Sequence, residues 1–292
     1  MRNSKHRKSS WRIWPLLLIP VFVSLTVISA IELIRPSAEQ NDFNELSAIV
    51  HSSEPLVGIE RKPPAETQTG GMQPEIMEGI IETGEPPNME TEVSMLDKYI
   101  PVYEMNTDLF GWIYIDGTVV DYPVMHSPDE PEQYLRKNVK GEFSLSGVPF
   151  MAADCYEGCG NYILYGHNMK NGSMFHTMMS YADETFWKEH PTIGFDTLYQ
   201  TGAYKVYAAF YSKAYYVEDE GVFRVYEFTE INDEATFCEF ADQAKKASIY
   251  DTGVEAECGD TFITLITCSY HTDNGRFVVI AVKDKESQDA YS

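Results

Sequence analysis

The pattern of apolar and polar residues divides the chain into an apolar N-terminal run, a polar stretch and a long region rich in strand-like segments. Residues 13–31 are almost continuously apolar, interrupted only by prolines and hydroxyl residues. Between about residues 36 and 92 the periodicity disappears, and it resumes near Ser94. The pattern therefore predicts an apolar helix, a linker without regular structure and one large folded domain.

Short apolar or alternating segments typical of β-strands fill the folded region. Two of them, 111–115 and 118–122, flank Asp116-Gly117, which predicts a β-hairpin. Further strands are predicted at 147–151, 161–165, 192–196, 203–211, 213–217, 261–267 and 277–282. Many short strands with few helices indicate a mainly β fold, a mostly antiparallel barrel or sandwich decorated by helices.

Helical patterns are fewer. Residues 96–103 predict a short helix before the first strand, and residues 173–181 predict another, with Ser173 as its N-cap. A longer helix is expected between the late strands, because Asn232 can cap it and acidic residues follow in its first turn. Its apolar face has helical spacing and comprises Phe237, Phe240, Ala241 and Ala244.

The N-terminal apolar run has the features of a membrane anchor. It is long enough to cross the hydrocarbon core of a bilayer as a helix. A basic segment without acidic residues precedes it, so the rest of the chain is expected outside the cell. The alternative is a cleaved signal peptide, with Ile28-Ser29-Ala30 as the cleavage site.

Composition sets the remaining boundaries. Paired prolines and an excess of acids after the apolar run predict a flexible stalk, because such a segment buries too little apolar surface to fold. The predicted regions are a cytoplasmic basic tail (1–12), a transmembrane signal anchor (13–34), a flexible acidic stalk (35–92), a folded domain (93–286) and a C-terminal tail (287–292).

The net charge of −23 excludes nucleic acid as a partner, since phosphate binding needs basic patches. The five cysteines are an odd number, so at least one thiol is free or paired between molecules. Cys155 and Cys159 can close a small loop or supply half of a metal site. No second Cys/His pair with ligand spacing lies nearby in the sequence, so neither a metal nor a cofactor is predicted.

Three side chains supply the components of thiol acyl transfer. Cys268 ends a predicted strand and borders a polar loop, and Arg276 begins the strand after that loop. His167 follows Gly166 at the end of another predicted strand. The alternatives are a buried structural thiol, an arginine in a surface ion pair, and His271 in place of His167; two rigid strand ends favour His167.

The segments Tyr165-Gly166-His167-Asn168-Met169, Thr264-Leu265-Ile266-Thr267-Cys268 and Gly275-Arg276-Phe277-Val278-Val279 resemble the sortase family, surface cysteine transpeptidases of Gram-positive bacteria. The late helix and Asn171-Gly172-Ser173-Met174-Phe175 resemble its class B branch. The resemblance spans residues 94–283 and implies an eight-stranded β-barrel with an N-terminal helical segment. Region 93–286 is then a sortase catalytic domain behind one transmembrane helix.

By this resemblance, Cys268 attacks a C-terminal sorting motif of a surface protein, such as NPQTN, and forms a thioacyl enzyme. His167 serves as the acid and base, and Arg276 steadies the oxyanion. The backbone N–H of Ser269 and the Thr267 side chain are the implied substrate contacts. An amine of a peptidoglycan precursor or a pilin then accepts the acyl group.

The implied location is the cell membrane, with a single pass and an extracellular catalytic domain. Two alternatives remain open: a plain cysteine endopeptidase at the cell surface, in which water resolves the thioacyl enzyme, and a non-catalytic membrane-anchored binding domain.

Overall fold

The computed structural model describes residues 39–52 and 94–285. Its strands form a closed barrel in the order β1-β2-β3-β4-β7-β8-β6-β5. They are β1 (Leu109–Tyr114), β2 (Asp121–Met125), β3 (Phe150–Met151), β4 (Asn161–Tyr165), β5 (Thr192–Thr197), β6 (Ala203–Lys213), β7 (Phe262–Cys268) and β8 (Gly275–Lys283). The mainly β, eight-stranded fold is therefore confirmed.

Helices surround the barrel. They are α1 (residues 39–51), α2 (Ile100–Met105), α3 (Glu184–Glu189) and α4 (Glu234–Ala247). Short 3-10 segments lie at Asp97–Tyr99, Gln133–Leu135, Phe175–Ala182 and Val225–Glu227. Aromatic and alanine side chains of α4 are buried, as its spacing predicted.

Two predicted helix caps are wrong. The carboxylate of Asp233, not the Asn232 amide, accepts hydrogen bonds from the N–H groups of Ala235 (3.1 Å) and Thr236 (3.0 Å) at the start of α4. Ser173 caps no helix, because the following turns are 3-10 and begin beyond Met174, without a side-chain cap. Asn232 and Asp233 are both residue types that cap helices. Which of two such neighbours becomes the cap depends on the residue at which the helix begins, and residue type alone does not specify that position.

Most predicted strands overlap strands of the barrel, although the second hairpin strand, predicted at 118–122, is observed at Asp121–Met125. The hairpin around Asp116-Gly117 is present as the antiparallel pair β1–β2. The strand predicted at 213–217 is wrong, because β6 ends at Lys213 and the chain leaves the sheet there. Tyr216 and Val217 are exposed. An apolar sequence forms a strand only where a neighbouring strand can pair with its backbone N–H and C=O groups.

The sheet order places the ends of three strands at one rim of the barrel. β4 and β7 are parallel, with Tyr165 opposite Ile266. β7 and β8 are antiparallel, with Cys268 opposite Arg276. Because parallel strands end at the same edge of a sheet, the carboxyl ends of β4 and β7 and the start of β8 meet there.

The structure differs from the predicted stalk at residues 39–51, which form α1 and pack against the barrel. Phe43 and Val50 on one face of α1 are each 3% exposed. The Phe43 ring lies 5.2 Å from the ring of Tyr122 on β2. An apolar residue every three to four positions gives α1 a buried stripe that the acidic composition of the region conceals.

The other predicted N-terminal regions are not described by the structure. The basic tail (1–12), the anchor (13–34), the later part of the stalk (53–92) and the C-terminal tail (287–292) lie outside the described residues. Within residues 39–52 and 94–285, no helix combines the length and apolar character needed to span a membrane.

Candidate active site

Cys268 and Arg276 are brought together by the register of the last two strands. Their Cα atoms are direct partners in the antiparallel β7–β8 pair. Directly opposed residues of such a pair project to the same face of the sheet. Both side chains are partly exposed at the barrel rim, so a thiol and a guanidinium share one accessible surface.

His167 reaches the same rim from β4. The last pair of the parallel β4–β7 register is Tyr165 with Ile266; His167 lies two residues beyond Tyr165, and Cys268 lies two residues beyond Ile266. Hydrogen bonds fix this alignment: the Thr267 hydroxyl donates to the Gly166 carbonyl at 2.8 Å. The Gly166 N–H donates to the Ile266 carbonyl at 3.2 Å. The end of β4 is thus tied to the end of β7 immediately before His167 and Cys268.

Asn168 ties the two strand ends on the other side of His167. Its Nδ2 donates to the carbonyl of Cys268 at 2.8 Å. Its Oδ1 lies 2.7 Å from Nδ1 of His176, which holds the amide in place. Sequence reasoning missed this contact, although an asparagine directly after a strand-end histidine was the available signal.

The His167 imidazole is oriented by a backbone carbonyl. Its Nε2 lies 2.9 Å from the oxygen of Leu135. A carbonyl only accepts hydrogen bonds, so Nε2 carries a proton and donates it. In the neutral imidazole the lone pair is therefore on Nδ1, which is the nitrogen available for proton transfer.

Burial lowers the pKa of His167 below its ordinary value of 6.5, and the charge of Arg136 lowers it further. The hydrogen bond to Leu135 acts in the opposite direction but does not reverse the shift. Desolvation penalises the imidazolium, so at neutral pH the ring is predominantly neutral. In the resting site the imidazole is therefore a proton acceptor.

Arg276 is held by its own turn. Its Nη1 donates to the carbonyls of Asn274 (3.2 Å) and Gly275 (3.0 Å). No ion pair joins it to a carboxylate within the described ranges. Burial raises the pKa of Tyr165 on β4 to about 12, and the nearby Arg276 charge opposes that rise. The guanidinium charge therefore acts across the rim towards β4.

The two predicted substrate contacts have partners within the protein. The Thr267 side chain is 1% exposed and bonded to Gly166. The Ser269 N–H donates to the carbonyl of Gly275 at 2.9 Å and so closes the turn between β7 and β8. Both groups therefore hold the strands that carry His167, Cys268 and Arg276.

His271, the competing histidine, sits on the β7–β8 loop. Its Nδ1 lies 2.9 Å from the Ser269 hydroxyl. Its ring packs against Tyr211 at 4.8 Å between centroids. These contacts attach it to the loop and to β6, whereas the residues on either side of His167, Gly166 and Asn168, are hydrogen-bonded to the end of β7.

Cys155 and Cys159 lie before β4, towards the opposite end of that strand from His167. Both are buried free thiols whose sulfurs approach the Asn161 carbonyl, at 3.6 and 3.4 Å. A hydrogen bond between the two thiols raises the pKa of Cys155 and lowers that of Cys159. In the part of the chain that the structure describes, no three His, Cys, Asp or Glu side chains are grouped to hold a metal ion.

Comparison with known proteins identifies this combination of barrel and rim. The Sortase domain family model matches residues 113–284, more than half of the chain and including all three rim residues. The chain belongs to the sortase family.

Relatives of known class place it within that family. Sortase B of Listeria monocytogenes is 33% identical over 193 residues, which cover 63% of this chain and 72% of that protein. Sortase B of Staphylococcus aureus is 28% identical over 184 residues, covering 61% of this chain and 71% of that protein.

Solved structures agree. A sortase B from Bacillus anthracis has a TM-score of 0.55 at 29% identity and covers 65% of this chain and 85% of its own. A sortase B from Clostridium perfringens has a TM-score of 0.57 at 25% identity, and the match covers 64% of this chain and 99% of that one. This sortase is therefore of class B, and the predicted family and cysteine transpeptidase activity are confirmed.

Proposed function

We propose that this sortase cleaves a C-terminal sorting motif of a surface protein and transfers the new acyl end to an amine of the cell wall or of a pilin subunit. The observation that carries the proposal is the pairing of Cys268 with Arg276 at the rim where β4, the strand that precedes His167, ends beside β7. A nucleophile, a proton carrier and a fixed cation at one exposed edge are the groups that peptide acyl transfer needs.

In the first half-reaction, the Cys268 sulfur attacks the scissile carbonyl. The neutral His167 imidazole accepts the thiol proton at Nδ1 and passes it to the nitrogen of the departing peptide. The C–N bond breaks and a thioester to Cys268 remains. Throughout, Nε2 keeps its proton on the Leu135 carbonyl, so the ring does not rotate between the two transfers.

In the second half-reaction, the acceptor amine attacks the thioester. His167 takes a proton from the attacking nitrogen and returns one to the departing sulfur. The products are a new amide and the free thiol. Arg276 stabilises the oxyanion in both halves, because its charge is permanent and its planar fork offers several N–H donors.

We place the catalytic domain outside the cell, attached to the membrane by residues 13–34. The support is the apolar run itself and the basic residues that precede it. The negative charge of the remainder suits a domain that meets peptides and amines rather than anionic polymers.

Replacement of the nucleophile tests the proposal. We expect Cys268→Ala to abolish cleavage of sorting-motif peptides without changing the thermal unfolding temperature, because the side chain is at the rim rather than in the core. Cys238→Ala, which removes an exposed thiol on α4, is the matched control and keeps full activity. Mass spectrometry of products, with and without small amines, measures both cleavage and transfer.

The same experiment separates the alternatives. An adduct between the peptide and the added amine that disappears in Cys268→Ala supports transpeptidation. Cleavage that no amine accelerates indicates an endopeptidase. Peptide binding without cleavage by the unmodified protein indicates a binding domain.

A further inference from the structure

We propose that Glu39 of α1 is a positioning residue for His167, acting through residues 144–148 and the carbonyl of Leu135. The inference rests on the proposed role of His167 as the proton carrier. It links a helix outside the barrel to the nitrogen that must keep its proton during the reaction.

The first step is the contact between imidazole and carbonyl. Leu135 lies at the end of a 3-10 turn, in the segment between β2 and β3, and its carbonyl oxygen is the Nε2 partner of His167 at 2.9 Å. A carbonyl that shifted would leave the ring free to turn and to change which nitrogen carries the proton. The position of the Leu135 peptide therefore controls the orientation of His167.

The second step is the support of that peptide. The N–H of Val148 donates to the carbonyl of Tyr134, and the N–H of Ser144 donates to the carbonyl of Arg136, each at 3.0 Å. The carbonyls before and after Leu135 are thus both held by one segment, residues 144–148. Arg136 adds a bond in the reverse direction, from Nη1 to the carbonyl of Leu145 at 2.8 Å.

The two segments are in close contact where they cross. Gly147 has a φ of +60°, and a Cβ at this position would lie 2.7 Å from the Leu135 oxygen and 2.5 Å from the Tyr134 oxygen. Such a distance is far below a normal van der Waals contact. Residues 144–148 therefore lie directly against the carbonyl that His167 uses, and a displacement of one segment moves the other.

The third step is the carboxylate of Glu39. One oxygen accepts the N–H of Leu145 at 2.9 Å, and the other accepts the N–H of Ser146 at 3.0 Å and its hydroxyl at 2.5 Å. A carboxylate that receives three donors forms charge-assisted bonds, which are stronger than neutral ones. These bonds hold the middle of residues 144–148 from the side of α1.

The fourth step is the attachment of α1 itself. Ser47 and His51, near the other end of the helix, both bond the carboxylate of Asp121 on β2. That carboxylate also accepts the indole N–H of Trp112 on β1 at 2.6 Å. Glu39 is therefore carried on a helix that is fixed to the barrel, and it provides a rigid anchor.

A second link from α1 reaches the backbone of His167. The Tyr122 hydroxyl donates to Oε1 of Gln40 and accepts the N–H of Met174, each at 3.2 Å. Met174 is paired with Asn168, and the neighbouring Phe175 N–H donates to the carbonyl of His167 at 2.9 Å. Thus α1 supports the ring of His167 through Glu39 and its backbone through Gln40.

The test is Glu39→Gln in the full-length protein, with Glu45→Gln as the matched control. Glu45 is exposed on the same helix, and no hydrogen bond or ion pair involves it within the described residues. The NH2 group of a glutamine amide donates hydrogen bonds and cannot accept them. In Glu39→Gln, the bonds to the carboxylate oxygen that this group replaces are therefore lost. Ser146→Ala, which removes one donor and leaves the backbone intact, covers the case in which Glu39→Gln does not fold.

Two readouts are needed. The ¹⁵N chemical shifts of the His167 ring report which nitrogen is protonated, whether or not the protein is active. We expect Glu39→Gln to reduce the fraction of the neutral ring with its proton on Nε2, and Ser146→Ala to reduce it less. We expect kcat for a sorting peptide to fall on the order of tenfold with KM unchanged, since a displaced catalytic group slows chemistry more than binding.

The outcomes are distinct. If the His167 ring shifts in Glu39→Gln and Ser146→Ala equal those in Glu45→Gln, the proposal that Glu39 supports His167 is overturned. That conclusion holds even if His167→Ala is inactive. Changed ring shifts with an unchanged kcat overturn the catalytic importance of Glu39 and also place the proton-carrier role of His167 in question. A lower kcat together with a redistributed ring proton supports the inference.

Discussion

At the scale of the residue, Arg276 differs from an ordinary surface arginine in its partners. It bonds two backbone carbonyls of its own turn instead of a carboxylate. Both bonds use Nη1. A guanidinium also carries N–H groups on Nη2 and Nε, and these remain available as donors. The turn therefore orients the guanidinium while leaving its charge unpaired within the described residues, and such a charge suits the binding of a transient oxyanion.

Replacing this arginine by lysine keeps the charge and removes the fork. We expect Arg276→Lys to lower kcat by about 100-fold or more, as the loss of an oxyanion donor does. Thermal unfolding should change little, because the side chain is partly exposed at the rim. Steady-state kinetics with a sorting peptide measures the effect, and near-normal turnover would reduce Arg276 to a structural role.

The pH dependence of the reaction depends on a second arginine. The Arg136 charge lowers the pKa of His167, so its removal in Arg136→Gln raises that pKa towards 6.5. Because proton acceptance requires the neutral ring, the acidic limb of kcat/KM should move to higher pH. The shift should shrink in high salt, since Arg136 is exposed.

Lys140→Gln is the control for this measurement. It removes a positive charge from the same segment between β2 and β3, and we expect the acidic limb to stay where it is. A limb that moves equally in both variants would mean that net charge, rather than the position of Arg136, causes the change in the pKa of His167.

The sequence makes the rim residues recognisable but not their supports. Cys268 and Arg276 are separated by one loop, so a hairpin predicts their proximity directly. The Leu135 carbonyl leaves no trace in residue type, since every residue has one. Glu39 lies about a hundred residues from the segment it binds, in a region whose acidity suggested solvent.

At the scale of the element, the decisive feature is the parallel pairing of β4 with β7. The strands themselves follow from short apolar runs, and most boundaries agree with those predicted. A mostly antiparallel sheet was expected, and that is correct except for the parallel pairs β2–β3 and β4–β7. Pairing between distant strands depends on the closed barrel as a whole and has no local signal.

Gly166 shows how closely elements pack at the end of β4. A Cβ at this position would lie 2.5 Å from the ring of Phe175, which is fully buried. We expect Gly166→Ala to destabilise the protein by about 1–3 kcal/mol, as overpacking does, and to lower kcat by displacing the adjacent His167.

A second substitution separates steric crowding from backbone effects. Phe175→Leu makes room beside residue 166, so the Gly166→Ala/Phe175→Leu pair should recover part of the lost kcat. Urea unfolding and peptide kinetics measure the two effects. A double variant as inactive as Gly166→Ala alone would contradict the clash with the ring.

At the scale of the whole molecule, the folded unit is the barrel together with α1. The acidic composition after the apolar run favoured a flexible stalk, and for residues 39–51 that averaged property concealed a buried stripe. Phe43 meets Tyr122 edge-on with an interplanar angle of 80°, a favourable arrangement for two aromatic rings. The helix therefore contributes to stability as well as to the support of the rim.

Its contribution can be measured by truncating one buried side chain. We expect Phe43→Ala to lower the free energy of unfolding by about 3–5 kcal/mol. Ile49→Ala on the same helix is the control and should cost far less, since Ile49 is 37% exposed. Denaturant unfolding measures the free energy of unfolding of both variants. Equal, small losses in Phe43→Ala and Ile49→Ala would mean that α1 is bound too loosely to act as an anchor.

The late position of β7 and β8 in the chain has a consequence for when activity arises. His167 is made about a hundred residues before Cys268, and the strands bearing Cys268 and Arg276 are the last two of the barrel. A growing or half-folded chain therefore has its histidine without its thiol, or its thiol without aligned partners. With the roles proposed for these residues, acyl transfer therefore requires the last two strands to close the barrel beside β4.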